Sequence, residues 1–159
     1  MKKVNITEIA EETSVSPKGK YASSDVNISV ALGRKRQSSD LHERHPFDVQ
    51  ICRISPSKSN CPYHMHTTQW EFFYVLSGTG QVRHQAGVTK VEAGDAFIFK
   101  PTEPHQLIND GTIDLVVMIV ADNPDGEAVY YPDSQKWSIE ILEGPILRSD
   151  SLDYFDGEE

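Results

Sequence analysis

Three histidines and one glutamate are the side chains of this sequence best suited to metal chemistry. His64 and His66 are separated by one residue, Glu71 opens the next apolar run, and His105 begins a later one. Because successive side chains of a strand point to opposite faces, His64 and His66 would share one face. Three neutral imidazoles and a carboxylate suit a divalent iron, manganese, nickel, copper or zinc ion. Four ligands on a six-coordinate ion leave two positions open for a substrate or dioxygen, which favours a catalytic site over a purely structural one.

The simplest alternative to a metal site is a set of partly buried side chains that only form hydrogen bonds with their neighbours. A single histidine on a strand is usually of that kind. An ionised glutamate buried beside imidazoles is different, because it needs a compensating positive charge. A metal ion can supply that charge, and so can a protonated imidazole. The combination of Glu71 with three histidines predicts metal binding.

Side chains on the same strand face as Glu71 are candidates for lining a substrate pocket. Alternation along the strand places Phe73 and Val75 on that face. Their apolar character favours a substrate with a hydrocarbon or aromatic part. His84, on another apolar run, is a further pocket candidate.

Length and charge indicate a single domain whose main partner is neither nucleic acid nor an anionic membrane. A chain of 159 residues is long enough to bury a core. Its net charge of -9 argues against nucleic acid or an anionic membrane surface as a partner. No stretch reaches the roughly 20 apolar residues that a membrane span needs. The first residues lack the apolar core of a signal peptide, and Cys52 and Cys61 are too few for a disulfide framework, so we expect a cytoplasmic protein with free thiols.

Two charged segments are predicted to be solvated surface. Residues 33–36 read Gly-Arg-Lys-Arg and form the one basic cluster of the chain. The short run favours a solvated loop over a phosphate-binding patch. His42 and His45 lie in a second charged segment and are expected to face solvent.

The chain divides into three stretches. Residues 1–45 form a polar arm, with a weak helix signal at residues 6–12, that is expected to be loosely ordered or to wrap a neighbour. Residues 46–122 carry short apolar runs separated by turn residues, which is typical of an all-β sandwich or barrel. Residues 123–159 form a C-terminal extension that is expected to pack on the barrel. The predicted strands are residues 47–54, 63–66, 71–76, 80–84, 88–91, 96–99, 105–108 and 112–120.

Two features of the predicted strands concern their connections and surroundings. Asn109-Asp110-Gly111 favours a tight hairpin, because these residues tolerate positive φ. Residues 71–76 and 113–120 are apolar on both faces, and a strand of this kind is covered on both sides. In so small a barrel the outer cover would come from the terminal arms or from a second subunit, and we expect a homodimer.

The spacing of these residues resembles the two motifs of the cupin superfamily. His64-X-His66, four residues, Glu71, six residues and Gly78 is similar to the first motif. Gly94-Asp95, nine residues, His105, three residues and Asn109 is similar to the second. The resemblance implies a jelly roll, or double-stranded β-helix, with a metal inside one end of the barrel. Carried over by position, its metal ligands are His64, His66, Glu71 and His105.

The chain beyond the barrel resembles a group of one-domain bacterial cupins. The similar segments are Tyr130-Tyr131-Pro132-Asp133-Ser134 and the tail at residues 153–158. Some members of that group carry a sugar-phosphate isomerase label. The chain departs from the usual motifs at Lys58, Lys100 and Thr102, where glycine, proline and glycine are common. These changes alter turns at the pocket mouth and remove no ligand.

Three functions remain open at this point. The leading hypothesis is a metal-dependent enzyme that acts on a small oxygenated substrate, either as an oxygenase or as an isomerase or lyase. The first alternative is a binding or sensing module that holds a metal-bound small molecule without turnover. The second is a sugar-phosphate isomerase-like cupin, which would need cationic groups on the pocket rim. The candidates for those groups are Arg53, Lys58, Arg83 and Lys100.

Overall fold

Strands dominate the structure, as the alternating apolar runs predict. The computed structural model describes residues 1–36, 38, 40–139, 146–148 and 156. Its strands are β1 (Glu12–Val15), β2 (Ala22–Asn27), β3 (Phe47–Ile54), β4 (Met65–His66), β5 (Glu71–Ser77), β6 (Thr79–His84), β7 (Gly87–Glu92), β8 (Ala96–Phe99), β9 (His105–Ile108), β10 (Leu115–Asp122), β11 (Ala128–Tyr131), β12 (Lys136–Ile139) and β13 (Ile146–Leu147). The described helices are short: a 3₁₀ helix at Ile6–Glu8, α1 (Ile28–Ala31) and α2 (Leu41–Arg44). Within the described residues, no helix is long and apolar enough to cross a membrane.

The strands form three sheets around one core. A six-stranded sheet has the order β1-β2-β3-β10-β5-β8, so β10 lies between β3 and β5. A three-stranded sheet has the order β7-β6-β9, and a four-stranded sheet the order β13-β12-β11-β4. An isolated antiparallel pairing of His64 with His105 joins the two smaller sheets. The architecture is the predicted all-β jelly roll.

The hydrophobic core is built from the inward faces of six strands. Its fully buried members include Ile54, Phe73, Leu107 and Leu115. Burying a large apolar side chain of this kind contributes roughly 1.5–3 kcal/mol. Phe73 also lines the cavity that contains His64, His66, Glu71 and His105. The candidate site therefore lies directly against the core.

The predicted strands of the barrel agree closely with those observed. The predictions at residues 47–54, 96–99 and 105–108 coincide with β3, β8 and β9. The last predicted strand, 112–120, begins later, at Leu115, because the preceding residues belong to a bend. These runs are bounded by turn residues such as Pro46, Gly94 and Pro104, which is why their ends could be found.

The expectation of a loosely ordered N-terminal arm needs correction. Strand β2 pairs antiparallel with β3, with Asp25 opposite Cys52, and β1 pairs with β2. The sequence of β2 is Ala-Ser-Ser-Asp-Val-Asn, which lacks apolar alternation. Backbone pairing supports it, and the Ser23 hydroxyl donates a hydrogen bond to the Asp25 carboxylate at 2.9 Å. Composition alone therefore conceals this strand.

The turn at Asn109-Asp110-Gly111 is a crossover and not the predicted hairpin. Strand β9 pairs with β6, whereas β10 pairs with β3 and β5, so the turn carries the chain between sheets. The fully buried Asn109 amide donates to the carbonyls of Ile54 at 2.7 Å and Ile113 at 2.8 Å. The Gly111 N–H donates to the Asn109 side-chain oxygen at 2.9 Å. Asn109 thus joins the turn to β3, a contact that local turn preferences do not contain.

The C-terminal extension begins by building a sheet beside the candidate site. Strand β11 pairs with β4, with Val129 opposite His66, and β12 pairs with β11. The prediction that the extension packs on the barrel as far as residue 159 also concerns residues 140–145, 149–155 and 157–159, which lie outside the described part of the chain.

Candidate metal centre

The structure brings together the four residues that the sequence singles out. The ligand atoms of His64, His66 and Glu71 all lie within 4.8 Å of one another. The Glu71 Oε2 lies 2.8 Å from the Nε2 of His105 and 3.2 Å from the Nε2 of His66. The widest separation of the imidazole rings is between His66 and His105, whose centroids are 6.3 Å apart.

Backbone pairing fixes the positions of the four residues. His64 and His105 exchange two backbone hydrogen bonds, of 3.1 and 2.8 Å, which places their rings side by side. His66 lies in the short strand β4, and Glu71 is the first residue of β5, opposite Ala121 of β10. The four side chains therefore come from separate strands or strand ends that meet at one end of the sandwich.

Each histidine of the cluster has an oxygen partner at its Nδ1. The partner of His64 is the Pro62 carbonyl at 2.9 Å, and that of His105 is the Glu103 carbonyl at 3.1 Å. The Nδ1 of His66 contacts the Glu127 carboxylate at 3.2 Å. Carbonyl and carboxylate oxygens only accept, so each Nδ1 carries the proton. In the neutral rings Nε2 is then the free ligand atom, an arrangement common among metal-binding histidines.

Glu127 is a functional residue that sequence reasoning missed. It is 6% exposed, and its carboxylate accepts backbone hydrogen bonds from Thr67, Thr68 and Gln69 in addition to its contact with His66. The Thr68 hydroxyl also donates to it. This one carboxylate holds the first three residues of the connection between His66 and Glu71. The sequence offered no signal for it, because it follows a turn in the C-terminal extension, 61 positions from His66.

Burial and neighbouring charges shift the pKa values of the cluster in different directions. Burial, with a smaller contribution from neighbouring His105, lowers the pKa of His64 to about 4. Burial also opposes protonation of His66, but its contacts with the carboxylates of Glu127 and Glu71 outweigh burial and raise the pKa to about 9. The pKa of Glu71 is lowered because its close contacts with the imidazoles of His105 and His66 outweigh its burial. A protonated His66 would supply one positive charge to two carboxylates, those of Glu71 and Glu127.

The geometry of the cluster fits a single divalent ion. Among the described residues, the Glu71 Oε2 and His105 Nε2 are buried polar atoms without a hydrogen bond of acceptable geometry, although they lie close together. Ligands bound at about 2.1 Å in neighbouring octahedral positions are separated by about 3 Å. The observed 2.8 and 3.2 Å match that spacing. A metal ion would satisfy both atoms at once.

Two cavities meet at the cluster. One, of about 290 Å³, contains all four residues together with Phe73, Cys61 and Asp25. The other, of about 380 Å³, shares His66 and Glu71 with the first and is lined mainly by polar groups. Its polar walls include Arg34, Arg44, Asp48, Gln50, Gln69, Asn123 and Glu127.

The three predicted pocket residues lie in different places. Phe73 lines the smaller cavity beside the cluster. Val75 is instead fully buried in the hydrophobic core. His84 lines a third cavity, of about 430 Å³, and its Nε2 lies 2.9 Å from the Thr89 hydroxyl. Of the three, only Phe73 is carried into the candidate site. The prediction of a substrate with an apolar part therefore rests on Phe73 alone, because the side chains that line the cavity of about 380 Å³ are mostly polar.

The solvated-loop prediction for residues 33–36 is wrong at Arg34. Its side chain is 11% exposed and forms an ion pair with Asp48 at 3.2 Å. The four cations proposed for the pocket rim have other partners. Arg53 pairs with Glu11 and Asp114, Lys58 donates to the Gly19 carbonyl, Arg83 pairs with Asp133, and Lys100 pairs with Glu103. Arg34 and Arg44 are the arginines that line the cavity of about 380 Å³ beside the cluster.

Comparison with protein families agrees with the motifs. Residues 50–121 match the family model described as Cupin domain. Somewhat under half of the chain thus matches the cupin domain, in agreement with the resemblance of the paired histidine motifs. An uncharacterized protein of Methanocaldococcus jannaschii is 29% identical over 90 residues, which cover 57% of this chain and 65% of that protein.

Solved structures share the fold over most of the chain. A putative sugar phosphate isomerase from Acidithiobacillus ferrooxidans superposes with a TM-score of 0.77 and 23% identity, covering 93% of this chain and 92% of its own. A sugar phosphate isomerase of the cupin superfamily from Silicibacter pomeroyi gives a TM-score of 0.77 at 22% identity, with coverage of 96% and 98%. Similarity at this level of identity shows the fold and does not transfer an activity.

Proposed function

We propose that this protein is a metal-dependent cupin enzyme that acts on a small oxygenated organic substrate. One divalent transition metal ion would be held by His64, His66, Glu71 and His105. The observation that supports this most directly is the set of Nδ1 contacts, which leaves three Nε2 atoms free beside one carboxylate. Three histidines that served only as hydrogen-bonded core residues would not all be expected to bond through Nδ1 and to leave Nε2 free.

A bound divalent ion would supply Lewis-acid polarisation of substrate oxygens. The residues of the chain would orient the ligands, exclude water and bind the substrate. Glu127 and the two backbone carbonyls keep the histidine rings oriented. Phe99, stacked on His105 with ring centroids 4.2 Å apart, packs one side of that ring and keeps water from it. Gln50 and Gln69 line the cavity of about 380 Å³, where their amide groups would donate hydrogen bonds to substrate oxygens.

Elemental analysis of untagged protein purified without chelator tests the proposal. We expect one transition metal ion per chain in the wild type and its loss in His105→Ala. Iron would direct the search to oxygenase substrates such as catechols and diketones, followed by oxygen uptake. Manganese, nickel or zinc would direct it to isomerase and lyase substrates. Protein that stays metal-free after reconstitution would contradict the proposal.

The binding-module alternative makes a different prediction for the same sample. A sensing cupin would bind metal and ligand stoichiometrically without forming product. Substrate disappearance followed by mass spectrometry separates the two, because a binding module consumes at most one equivalent.

We also propose a cytoplasmic location and a homodimer. Cys52 and Cys61 are both free thiols, as a reducing compartment requires. On the outer face of the six-stranded sheet, Phe72, Tyr74 and Ile98 are exposed apolar side chains. A second copy is the expected occupant, because a two-fold contact would bury this apolar patch against itself.

A further inference from the structure

Two arginines of the N-terminal segment converge beside the metal cluster. Both side chains are 11% exposed, and both line the cavity of about 380 Å³ that His66 and Glu71 share. The guanidinium of Arg34 donates to the Asn123 side-chain oxygen at 3.1 Å, and that of Arg44 donates to the Asn123 carbonyl at 2.9 Å. Two cations thus meet at one residue on the cavity wall.

Each of the two arginines has one carboxylate partner, and each keeps a buried Nε–H that has no hydrogen-bond partner among the described residues. Asp48 pairs with Arg34 at 3.2 Å and is itself largely buried. Asp125 pairs with Arg44 at 2.6 Å but is 76% exposed, so water weakens its effect. Glu127 is already engaged by His66 and by the backbone of residues 67–69. Glu71 belongs to the metal cluster. The arginine end of the cavity therefore keeps buried guanidinium donors that are available to a further acceptor.

A purely structural role for the arginines would be to fasten the N-terminal segment to the loop at Asn123. That loop already has neutral contacts with the segment, because the Asn123 amide donates to the His45 carbonyl at 3.1 Å and its N–H donates to the Pro46 carbonyl at 3.1 Å. Burying two guanidinium groups is an expensive way to add to such a contact. Buried guanidinium donors on the wall of a cavity next to the candidate metal site can instead bind an anionic group of a substrate.

We propose that Arg34 and Arg44 form an anion subsite, which binds a carboxylate or phosphate group of the substrate while its other oxygens face the metal cluster. Guanidinium groups suit both anions because they donate two hydrogen bonds in one plane. The cavity volume lies in the lower range of small-molecule pockets, which indicates a compact anion. The substrate class of the proposed enzyme would then be small anionic hydroxy or keto compounds. This inference rests on the proposed function, but its test does not depend on turnover.

Inorganic phosphate is the first probe. Calorimetric titration of phosphate into full-length protein would compare wild type with Arg34→Gln and Arg44→Gln, in metal-loaded and chelator-treated samples. Removing one charged donor is expected to weaken phosphate binding by about tenfold or more in both samples. Arg53→Gln is the matched control, because that arginine is exposed and pairs with Glu11 and Asp114, and it should bind phosphate like the wild type. Equal binding by all variants would overturn the subsite.

A second measurement on the wild-type protein covers the case in which an arginine variant does not fold. Side-chain Nε–H signals of Arg34 and Arg44 should shift on addition of phosphate, while that of Arg53 stays in place. Acetate as a second probe separates the two anion types: a shift with both supports a general anion subsite, and a shift with phosphate alone supports a phosphate subsite. No shift at Arg34 and Arg44 with either anion would overturn the inference. Metal content measured on the same samples shows separately whether the proposed metal site is correct.

Discussion

Glu127 contacts the Nδ1 of His66 at 3.2 Å and so links the C-terminal extension to the predicted metal cluster. The pKa of Glu127 is lowered because hydrogen bonds from His66 and Thr68 outweigh its burial, so the group is a carboxylate that only accepts. The proton of His66 is therefore held at Nδ1 and its Nε2 faces Glu71, 3.2 Å away. A residue beyond the barrel proper decides which atom of His66 can bind a metal.

Replacing Glu127 with glutamine should weaken metal binding without removing a ligand. The amide lacks the negative charge that orients His66 and raises its basicity, and loss of such a partner typically costs about 10–100-fold in metal affinity. Competition titration against a chelator of known affinity measures the change. Glu92→Gln, on the exposed face of β7, is the control and should leave the affinity unchanged. Wild-type affinity in a folded Glu127→Gln protein would contradict the positioning role.

Removing a ligand should have a larger effect than removing its partner. His64→Ala and His105→Ala are each expected to abolish stoichiometric metal binding while the protein stays folded, because the core depends on the strands and not on the cluster. His84→Ala should keep the full metal content, since His84 lines a separate cavity. Elemental analysis gives the metal content, and circular dichroism verifies the fold. Loss of metal from His84→Ala would show that the ligand assignment is incorrect.

The strands of the barrel are well predicted because the pattern that identifies each strand lies within a few consecutive residues. Alternating side chains in residues 47–54 and a short continuous apolar run in residues 96–99 define strands without reference to distant parts of the chain. The His64-X-His66 pair is also local, since one intervening residue puts both on one strand face. His105 was placed by its resemblance to a known motif, and the pairing with His64 shows how the fold brings it near.

The parts that sequence reasoning missed depend on contacts between distant residues. In the sequence, Arg34 is only one residue of a basic loop. In the fold, Asp48 and Asn123 contact its guanidinium group. Glu127 follows an ordinary turn and becomes important only because β11 pairs with β4. Strand β2 is polar and forms through backbone hydrogen bonds that any side chain permits. None of these three has a periodic or spaced signature that a single sequence could show.

Asn109 is expected to be a large single contributor to stability. Asn109→Ala would leave the buried carbonyls of Ile54 and Ile113 without their side-chain donor and would free the Gly111 N–H. Losing these bonds should lower the free energy of unfolding by about 2–4 kcal/mol. Urea denaturation measures the change, with exposed Asp110→Ala as the neighbouring control expected to cost less than about 1 kcal/mol. A change in Asn109→Ala as small as that of the control would mean that the turn does not need this amide.

The outer face of the six-stranded sheet should decide the oligomeric state. Tyr74 is exposed on β5, beside Phe72 and Leu76, and faces the same side as Ile98 of β8. A glutamate at position 74 would bring two negative charges together across a same-face contact, so Tyr74→Glu is expected to convert the proposed dimer into a monomer. Light scattering after size-exclusion chromatography measures the mass directly. Val88→Glu, exposed on β7 of another sheet, is the matched control and should remain dimeric. A wild-type monomer, or a dimer that persists in Tyr74→Glu, would exclude this face as the interface.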